Sequence, residues 1–538
     1  MRNHLGGERL SWGDTVFLNL ERSGMPLNVA CVSLFDGDIV FDDYLRFVES
    51  RLPLIPRYLM RVVPPPLNAG LPTWEYDPAF DIRTHVREVV LKHGSIAELK
   101  ALAGKLLGKV MDRQRPLWDL TLVRKLKGKQ TALIARMHHC LADGIAGVEI
   151  MSALMDVSPT PAPIAKGKTR FRVPRPRDPM TAVMDGLASS CADFTERILS
   201  AWGDVLGMAQ RTLANGGASS NEEFAQLLPE ITAPTQRLCF NVLYRGPQKF
   251  ACTEISLADV KAIRQACDAS INDVLLTLVT ATVRRYAELH GDQIKGRLLR
   301  IMVPVNLRGN GSAGELGNRI SLVPVTIPLD IRNARKLLAA VHRRTEFLKQ
   351  SHAAELVGLA GGMLGILPGV MQSFAGPMIS QLPITPFNMV CTNVPGPQYP
   401  LYLLGHKMTH WYPYVPIGGE LAMNCAILSY DGMIYFGFSG DAHAAPDVAR
   451  LEKFLSASFE ELREAAGLNC GRKKAPRRTP RKKSPPVDVP RVVAKTAVPT
   501  NGTALLPTPL PRVQPAEDSS ATKHPVAKEK PAVLQETA

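Results

Sequence analysis

The stretch from Thr131 to Ile150 constrains the fold of this chain more than any other. Its first part is a short apolar run, residues 133–137, of the length of a strand, and apolar side chains recur at helical spacing after residue 144. An HHxxxDG motif at 138–144 lies between them. If the strand continues through both histidines, their side chains point to opposite faces. The stretch therefore predicts a strand, a turn and a helix, with one histidine facing a cleft.

The residue types in this motif suit proton transfer. Histidine has the side-chain pKa closest to neutrality, about 6.5, so His139 is predicted to be a general base that removes a proton from a hydroxyl as it attacks a carbonyl. His138, on the other strand face, is predicted to orient the turn. Asp143 is expected to brace the loop as a helix cap or ion-pair partner, and Gly144 is expected to permit a tight turn.

A metal centre is not expected here. Adjacent histidines on a strand diverge, whereas the zinc motif HExxH places two histidines on one helix face. The nine cysteines are scattered and none forms a CxxC pair, so neither a disulfide framework nor a zinc site is indicated, and a reducing compartment is expected. Cys140 is interpreted as a small buried residue without a covalent role.

Length and composition predict four segments. A chain of 538 residues, 45% of them hydrophobic, is too long for one ordinary core. The expected domains are 1–160, which carries the motif, and 236–468, with a linker at 161–235 that is basic and proline-rich at its start. Residues 469–538 are expected to be a disordered tail rich in Lys, Arg and Pro.

Hydrophobic patterning gives a mixed α/β reading of both expected domains. Strands are predicted at 27–35, 84–91 and 298–306, and helices at 96–110 and 271–290. There is no apolar signal region at the N-terminus, and no uninterrupted apolar run is long enough to span a membrane.

Charge and hydropathy single out three further stretches. Residues 471–538 hold fourteen Lys/Arg and five Asp/Glu, a net +9 of the chain's +15, so no nucleic-acid partner is inferred from total charge. The helical pattern at 180–213 fits either a membrane-surface helix or a helix packed between domains. The segment 356–406 has no Asp, Glu, Lys or Arg, and fits either an acyl-chain tunnel and lipid contact or ordinary core helices.

Several short segments together resemble the wax ester synthase/acyl-CoA:diacylglycerol acyltransferase family, a branch of the chloramphenicol-acetyltransferase-like superfamily. The resemblance covers about residues 8–468. The segments that carry it, in chain order, are SWGDTVFLNLE, PTWEYDPAFDIRTHV, DRQRPLW, MHHCLADG, SINDV, TNVPGP and SYDGMIYFGFSGDAHAAPDV.

The resemblance implies two chloramphenicol-acetyltransferase-like domains with mixed sheets and an active site at their interface. It implies an O-acyltransferase that moves a long-chain acyl group from acyl-CoA to diacylglycerol, or to a long-chain alcohol, by direct attack. No cofactor is implied, since acyl-CoA is a substrate. Asn272 and Asp273 are implied near the site, Asn272 across from His139, and Pro116, Leu117 and Trp118 as supporting residues.

A cytoplasmic protein with peripheral contact to a membrane or lipid inclusion is expected. Two other classes of function stay open: a non-catalytic lipid-binding protein that retains the fold, and a condensation-type transferase with another acceptor. The intact HHxxxDG motif favours an enzyme over the first. The second would be expected to accompany a carrier-protein module, which the sequence lacks.

Overall fold

The structure is a computed structural model that describes residues 8–22, 25–65, 70–160, 235–306, 320–350 and 387–468, with isolated positions between 180 and 203. The strands in these residues are β1 Glu8–Arg9, β2 Asn28–Asp36, β3 Met60–Val63, β4 Thr73–Tyr76, β5 Val86–Val90, β6 Trp118–Leu126, β7 Gln130–His138, β8 Gln248–Ser256, β9 Leu298–Asn306, β10 Ile320–Pro328, β11 Met389–Pro395, β12 Tyr402–Leu403, β13 His406–Tyr414, β14 Met423–Tyr430 and β15 Met433–Asp441. The α-helices are α1 Trp12–Leu20, α2 Phe41–Arg51, α3 Ile96–Leu107, α4 Gly144–Ala153, α5 Leu257–Cys267, α6 Ile271–Leu289, α7 Ala334–Gln350 and α8 Arg450–Ala465.

The first large sheet carries the HHxxxDG strand at its centre. Its six strands run in the order β12-β13-β2-β7-β6-β5, and only β5 and β6 pair in parallel. β7 is paired on both sides, with β2 along its whole length and with β6. The buried Arg136 of β7 forms an ion pair with Asp119 of β6 and donates to the carbonyls of Leu106 and Lys109 at 2.7 Å. The strand that presents the motif is therefore fixed on both edges.

The second large sheet is also mixed. Its order is β10-β9-β11-β14-β15-β8, and β11 pairs in parallel with both β9 and β14. A small third sheet, β1-β4-β3, lies apart from these two in the hydrogen-bonding pattern. The described buried apolar residues form two clusters, one around the first sheet and one around the second.

One strand crosses between the two halves of the chain. β13 lies within the segment predicted as the second domain, yet it pairs with β2 in the first sheet, with Trp411 opposite Ser33. The hydrophobic pattern of β13 identifies it as a strand but does not identify its sheet, because pairing partners distant in sequence leave no local signal. The domain boundaries predicted from the sequence stay a prediction.

Local patterning predicted most element bounds closely. The predicted strand at 298–306 and the predicted helix at 271–290 correspond to β9 and α6, and the helix expected at 96–110 ends earlier, at Leu107. The strand expected at 84–91 is confined to Val86–Val90, because a 3-10 turn occupies Ile82–Thr84.

Three sequence interpretations fall mainly or wholly outside the described residues: the helix at 180–213, most of the uncharged segment 356–406, and the tail from 469. Among the residues that are described, no single helix is both long and apolar enough to cross a membrane. The bent pair α5–α6 meets the criteria of length and composition, but α6 has fourteen buried residues, nine of them in the second core.

Candidate active site

A cavity of about 390 Å³ lies between the two large sheets and contains His139. Three walls are described: strands β2, β7 and β13 of the first sheet, helix α4, and strands β9, β11 and β14 of the second. Most of its described lining is apolar, and the polar side chains among it are those of His139, Asp143, Thr392, Asn393 and Tyr414. The cavity thus combines an apolar channel with a small polar group at the HHxxxDG turn.

His139 lies in the turn directly after β7, since the strand ends at His138 and does not continue through both histidines. The backbone N–H of His139 still donates to the carbonyl of Leu27, at 2.9 Å, which extends the strand pairing by one residue. The imidazole stacks on the ring of Phe17, with centroids 3.9 Å apart and planes within 10°. Burial lowers the pKa of His139 to about 4, and the neighbouring His138 also lowers it, against a raising contribution from its own backbone carbonyl. The ring is therefore neutral at physiological pH.

His138 is fully buried and bonded into the frame. Its Nδ1 accepts a hydrogen bond from the backbone N–H of Cys140, at 3.0 Å, so the proton of the neutral ring belongs on Nε2. Nε2 lies 3.4 Å from Oε1 of Glu21, which also accepts the N–H of Leu27. The two histidines therefore diverge: one lines the cavity and the other ties the turn to α1.

Glu21 is a buried carboxylate that the sequence analysis did not single out as a site residue. Burial raises its pKa, but His138, the N–H of Leu27 and Arg113 together outweigh that contribution, so the net pKa is lowered and the group is ionised. Arg113 lies 3.2 Å from Glu21 and also donates to the carbonyl of Leu18 at 2.6 Å. Phe17 and Glu21 both come from SWGDTVFLNLE, and Arg113 comes from DRQRPLW. Three of the segments that carried the resemblance thus meet at the two histidines.

Asp143 is the N-cap of α4. Its carboxylate accepts the backbone N–H of Ala146, at 2.8 Å, which is the position that the sequence analysis expected. The cap directs the start of α4 toward the cavity, where Gly144 and Ile145 contribute to the lining. The positive end of the helix dipole therefore faces the same space as His139.

The expected reason for a glycine at 144 is wrong. Gly144 is the first helical residue of α4, and its φ does not lie in the left-handed region, so no turn requires a glycine there. Its physical reason is close approach: a Cβ at this position would lie 2.8 Å from Cγ2 of Val394 on β11. Glycine thus allows the helix start to touch the second sheet.

Gly144→Ala is expected to destabilise the protein by about 1–3 kcal/mol, because the branched Val394 side chain cannot rotate away freely. Denaturant unfolding measures the change. Gly147→Ala is the matched control, since its added Cβ would meet only Sδ of Met137, at 3.9 Å. Val394→Ala should restore most of the stability lost in Gly144→Ala. Equal losses in the two glycine variants would contradict this account.

The PLW segment supports the motif strand from outside the cavity. The backbone carbonyl of Leu117 accepts the N–H of His138 at 3.0 Å, and Trp118 pairs with Met137 in register. The Trp118 indole donates to the carbonyl of Tyr58 at 2.7 Å and stacks on the Tyr58 ring. Pro116 is buried beside them, and its carbonyl accepts the N–H of Trp118. These residues hold β7 in place and do not contribute to the described cavity lining.

Asn272 and Asp273 are not brought into this cavity. Both lie in the first turn of α6, where Asp273 completes a capping box with Ser270. The Asp273 carboxylate also accepts from Nδ1 of His342 at 2.8 Å and from Oγ1 of Thr345 at 2.6 Å, which joins α6 to α7. The Asp273 interactions belong to the helix junction, and the placement of Asn272 across from His139 stays a prediction.

The NVPGP segment supplies a wall that the sequence analysis quoted without giving it a role. Thr392, Asn393, Val394 and Pro395 line the cavity from β11. Gly396 follows them at a close approach, where a Cβ would lie 2.4 Å from the carbonyl oxygen of Ser429. The NVPGP segment itself was the sequence signal that could have identified this wall.

Two family models match this chain. The model of the wax ester synthase/diacylglycerol acyltransferase catalytic domain matches residues 10–275, and the model of the WS/DGAT C-terminal domain matches residues 316–463. The chain belongs to the wax ester synthase/diacylglycerol acyltransferase family. Both the family and the acyltransferase class predicted from the sequence are thereby confirmed.

Known members and solved structures agree with this assignment. A Mycobacterium tuberculosis protein named as probable diacylglycerol O-acyltransferase tgs1 is 27% identical over 454 residues, covering 81% of this chain and 91% of its own. The structure of a wax ester synthase/diacylglycerol acyltransferase from Marinobacter aquaeolei VT8 superposes with a TM-score of 0.59 at 23% identity, covering 86% of this chain and all of its own.

The fold also matches a condensation domain. The first condensation domain of the calcium-dependent antibiotic synthetase gives a TM-score of 0.54 at 14% identity, covering 86% of this chain and 97% of that domain. At these identities the structural matches show the fold alone. The predicted two-domain α/β architecture with mixed sheets is confirmed.

Proposed function

We propose that this family member transfers a long-chain acyl group from acyl-CoA to the hydroxyl of diacylglycerol, with a long-chain alcohol as a second acceptor. The observation that carries the proposal is a neutral His139 that lines an apolar cavity. The printed name of the Mycobacterium tuberculosis relative supports diacylglycerol as acceptor. Family membership supports both acceptors.

His139 acts as the general base. The hydroxyl oxygen attacks the thioester carbonyl while the imidazole takes the hydroxyl proton, which gives a tetrahedral oxyanion and an imidazolium. Collapse re-forms the carbonyl, breaks the C–S bond and transfers the proton to the departing CoA thiolate. The products are the ester and free CoA, and His139 returns to the neutral state. No cofactor takes part.

The oxyanion needs hydrogen-bond donors that are positioned in advance. The first turn of α4, at Gly144 and Ile145, directs the positive end of its dipole toward the cavity. The hydroxyl of Thr392, on the same strand face as the Val394 side chain that meets Gly144, is a side-chain donor of the described opposite wall. Asn272 is not among the described lining residues of the cavity, and its role beside His139 stays a prediction.

The pH dependence follows from the pKa of His139. A histidine with an unperturbed pKa would lose base function below about pH 6.5. Since burial lowers the pKa of His139 to about 4, kcat/KM should stay level through the neutral range and fall only near that value. Activity measured with acyl-CoA across the acid and neutral range gives the inflection.

The control for this profile is a folding measurement at each pH. The unfolded chain binds a proton to this histidine below about pH 6.5 and the folded chain does not, so its stabilising contribution is present above that pH and declines toward about pH 4. An inflection near pH 6.5 in fully folded protein would contradict the assignment of His139 as the buried base.

The experiment that tests the function uses radiolabelled palmitoyl-CoA and purified protein, with diacylglycerol and hexadecanol offered in separate reactions. Triacylglycerol in the first reaction is the expected product, and wax ester in the second would add the alcohol as acceptor. Binding of palmitoyl-CoA without ester in either reaction would replace this proposal with a lipid-binding role. Amide formation with an amine acceptor, in place of an ester, would indicate condensation-type chemistry.

We further propose that the reaction takes place at the surface of a membrane or lipid inclusion, where both acceptors dissolve. The basic tail supports electrostatic attraction to anionic lipid, since it has a net charge of +9 from residue 471 onward. Sedimentation with anionic and neutral vesicles tests this, with binding expected to be salt-sensitive and restricted to the anionic set.

A further inference from the structure

The cavity that contains His139 has a second end, at Trp411. Trp411 pairs with Ser33, which in turn pairs with Leu133, six residues before His139 along β7. The described β7 lining residue nearest Trp411 is Ala135, four residues before His139, so at about 3.3 Å per residue the lined strand is roughly 13 Å long. Trp411 lines the cavity and is 2% exposed, and Tyr430 behind it is fully buried. Among the described lining residues of the first sheet, Trp411 is therefore the one farthest from the histidine along the strands.

The Trp411 ring is held in place from two sides. On one side lies the buried thiol of Cys31, which also lines the cavity. Its other side packs edge-on against Tyr430, with centroids 5.6 Å apart and planes at 78°. The Tyr430 hydroxyl donates to the carbonyl of Met408 at 3.0 Å and accepts the N–H of Leu401 at 2.8 Å. Trp411 is thus a buried wall residue, packed between Cys31 and Tyr430.

The dimensions of the cavity fit one alkyl chain. An extended chain advances roughly 1.2 Å per bond, since three backbone bonds span about 3.6 Å, so the lined strand accommodates about eleven bonds. This length describes a single chain, whereas diacylglycerol carries two.

We propose that Trp411 determines acyl-chain selectivity, because its indole stops the end of the acyl chain whose thioester lies at His139. This inference rests on the proposed function. It assigns the cavity to the acyl donor and leaves the acceptor to approach the histidine from elsewhere. A chain longer than the cavity cannot place its carbonyl at the base without displacing the Trp411 ring.

The test is kcat/KM for Trp411→Ala and Trp411→Phe over a series of saturated acyl-CoAs from dodecanoyl to tetracosanoyl, with one acceptor. Removing the indole frees up to the 5.6 Å that separates it from Tyr430, which is about four or five bonds at roughly 1.2 Å each. The optimum should move to longer chains by about four carbons in Trp411→Ala. We compare kcat/KM for the longer chain with kcat/KM for the chain that the wild-type protein prefers. The ratio of the first to the second should be at least about tenfold higher in Trp411→Ala than in the wild-type protein. Trp411→Phe should shift the optimum less, in the same direction.

Tyr412→Phe is the matched control. Tyr412 is the next residue on β13, is not among the residues that line this cavity, and donates its hydroxyl to Glu254 at 2.7 Å. It should keep the wild-type optimum. An unchanged optimum in both Trp411 variants would overturn the proposal, and so would a shift that appears only when the length of the alcohol acceptor is varied.

A binding measurement separates this inference from the proposed function. Affinity for the same acyl-CoA series is measured by calorimetry, with wild-type and Trp411→Phe proteins and no acceptor. If the preferred length shifts in binding while wild-type protein forms no ester, the proposed reaction fails and the chain-length role stands. If ester forms but the preferred length is the same in all variants, the chain-length role fails and the reaction stands.

Discussion

His139→Ala is expected to lower kcat for ester formation by at least about a hundredfold, the range in which a general base contributes. The variant removes the imidazole that lines the apolar cavity and stacks on Phe17, while the cap at Asp143 stays intact. Single-turnover measurement with palmitoyl-CoA isolates the chemical step from product release.

Cys140→Ala is the matched control for this loss. Cys140 follows His139 directly, is 1% exposed, and has a thiol whose pKa burial raises well above its usual value, so a reactive thiolate does not form. This variant should retain most of the wild-type kcat. Near-complete loss in folded Cys140→Ala would contradict direct attack, and near-wild-type activity in His139→Ala would contradict general-base catalysis.

Glu21→Ala is expected to show the second-largest effect, on both stability and turnover. It removes the carboxylate beside His138, the acceptor of the Leu27 N–H and the partner of Arg113. Leaving the buried Leu27 N–H without its acceptor costs about 1–3 kcal/mol, and the half-exposed Arg113 adds little to that loss. A turn that shifts by about 1 Å misplaces His139, which can lower kcat about a hundredfold. Denaturant unfolding and kcat are measured on the same preparation.

Glu21→Gln distinguishes positioning from charge. The amide oxygen can still accept from the Leu27 N–H and lie beside Nε2 of His138, so most of the turnover should return. Since Glu21 does not line the cavity, KM for palmitoyl-CoA should change little in either variant. An equal loss of kcat in Glu21→Ala and Glu21→Gln would contradict a positioning role for Glu21.

The local parts of this structure could be predicted from the sequence because their signals are local. Periodicity located β9 and α6 closely, and the order strand, turn, helix around the HHxxxDG motif is present. The divergence of His138 and His139 was also expected, although β7 ends one residue earlier than that argument required.

Long-range features could not be predicted in the same way. Glu21 is separated from His138 by more than a hundred residues, and a lone acid near the N-terminus carries no sign of a buried histidine partner. The same holds for Gly144, whose neighbour Val394 lies on a strand of the second sheet. Trp411 could be identified as a cavity wall only after β13 was placed beside β2.

The strand β13 also affects how the chain reaches its native state. Trp411 and Ser33 are partners in one sheet although 378 positions separate them. Pairing β13 with β2 therefore closes a long loop, and the entropy cost of that closure is met late in the formation of the first sheet. During synthesis β2 has an unpaired edge until β13 emerges, and such an edge can pair with other chains. The first half of this protein therefore depends on the second for a closed sheet, and separate expression of the halves leaves an aggregation-prone edge.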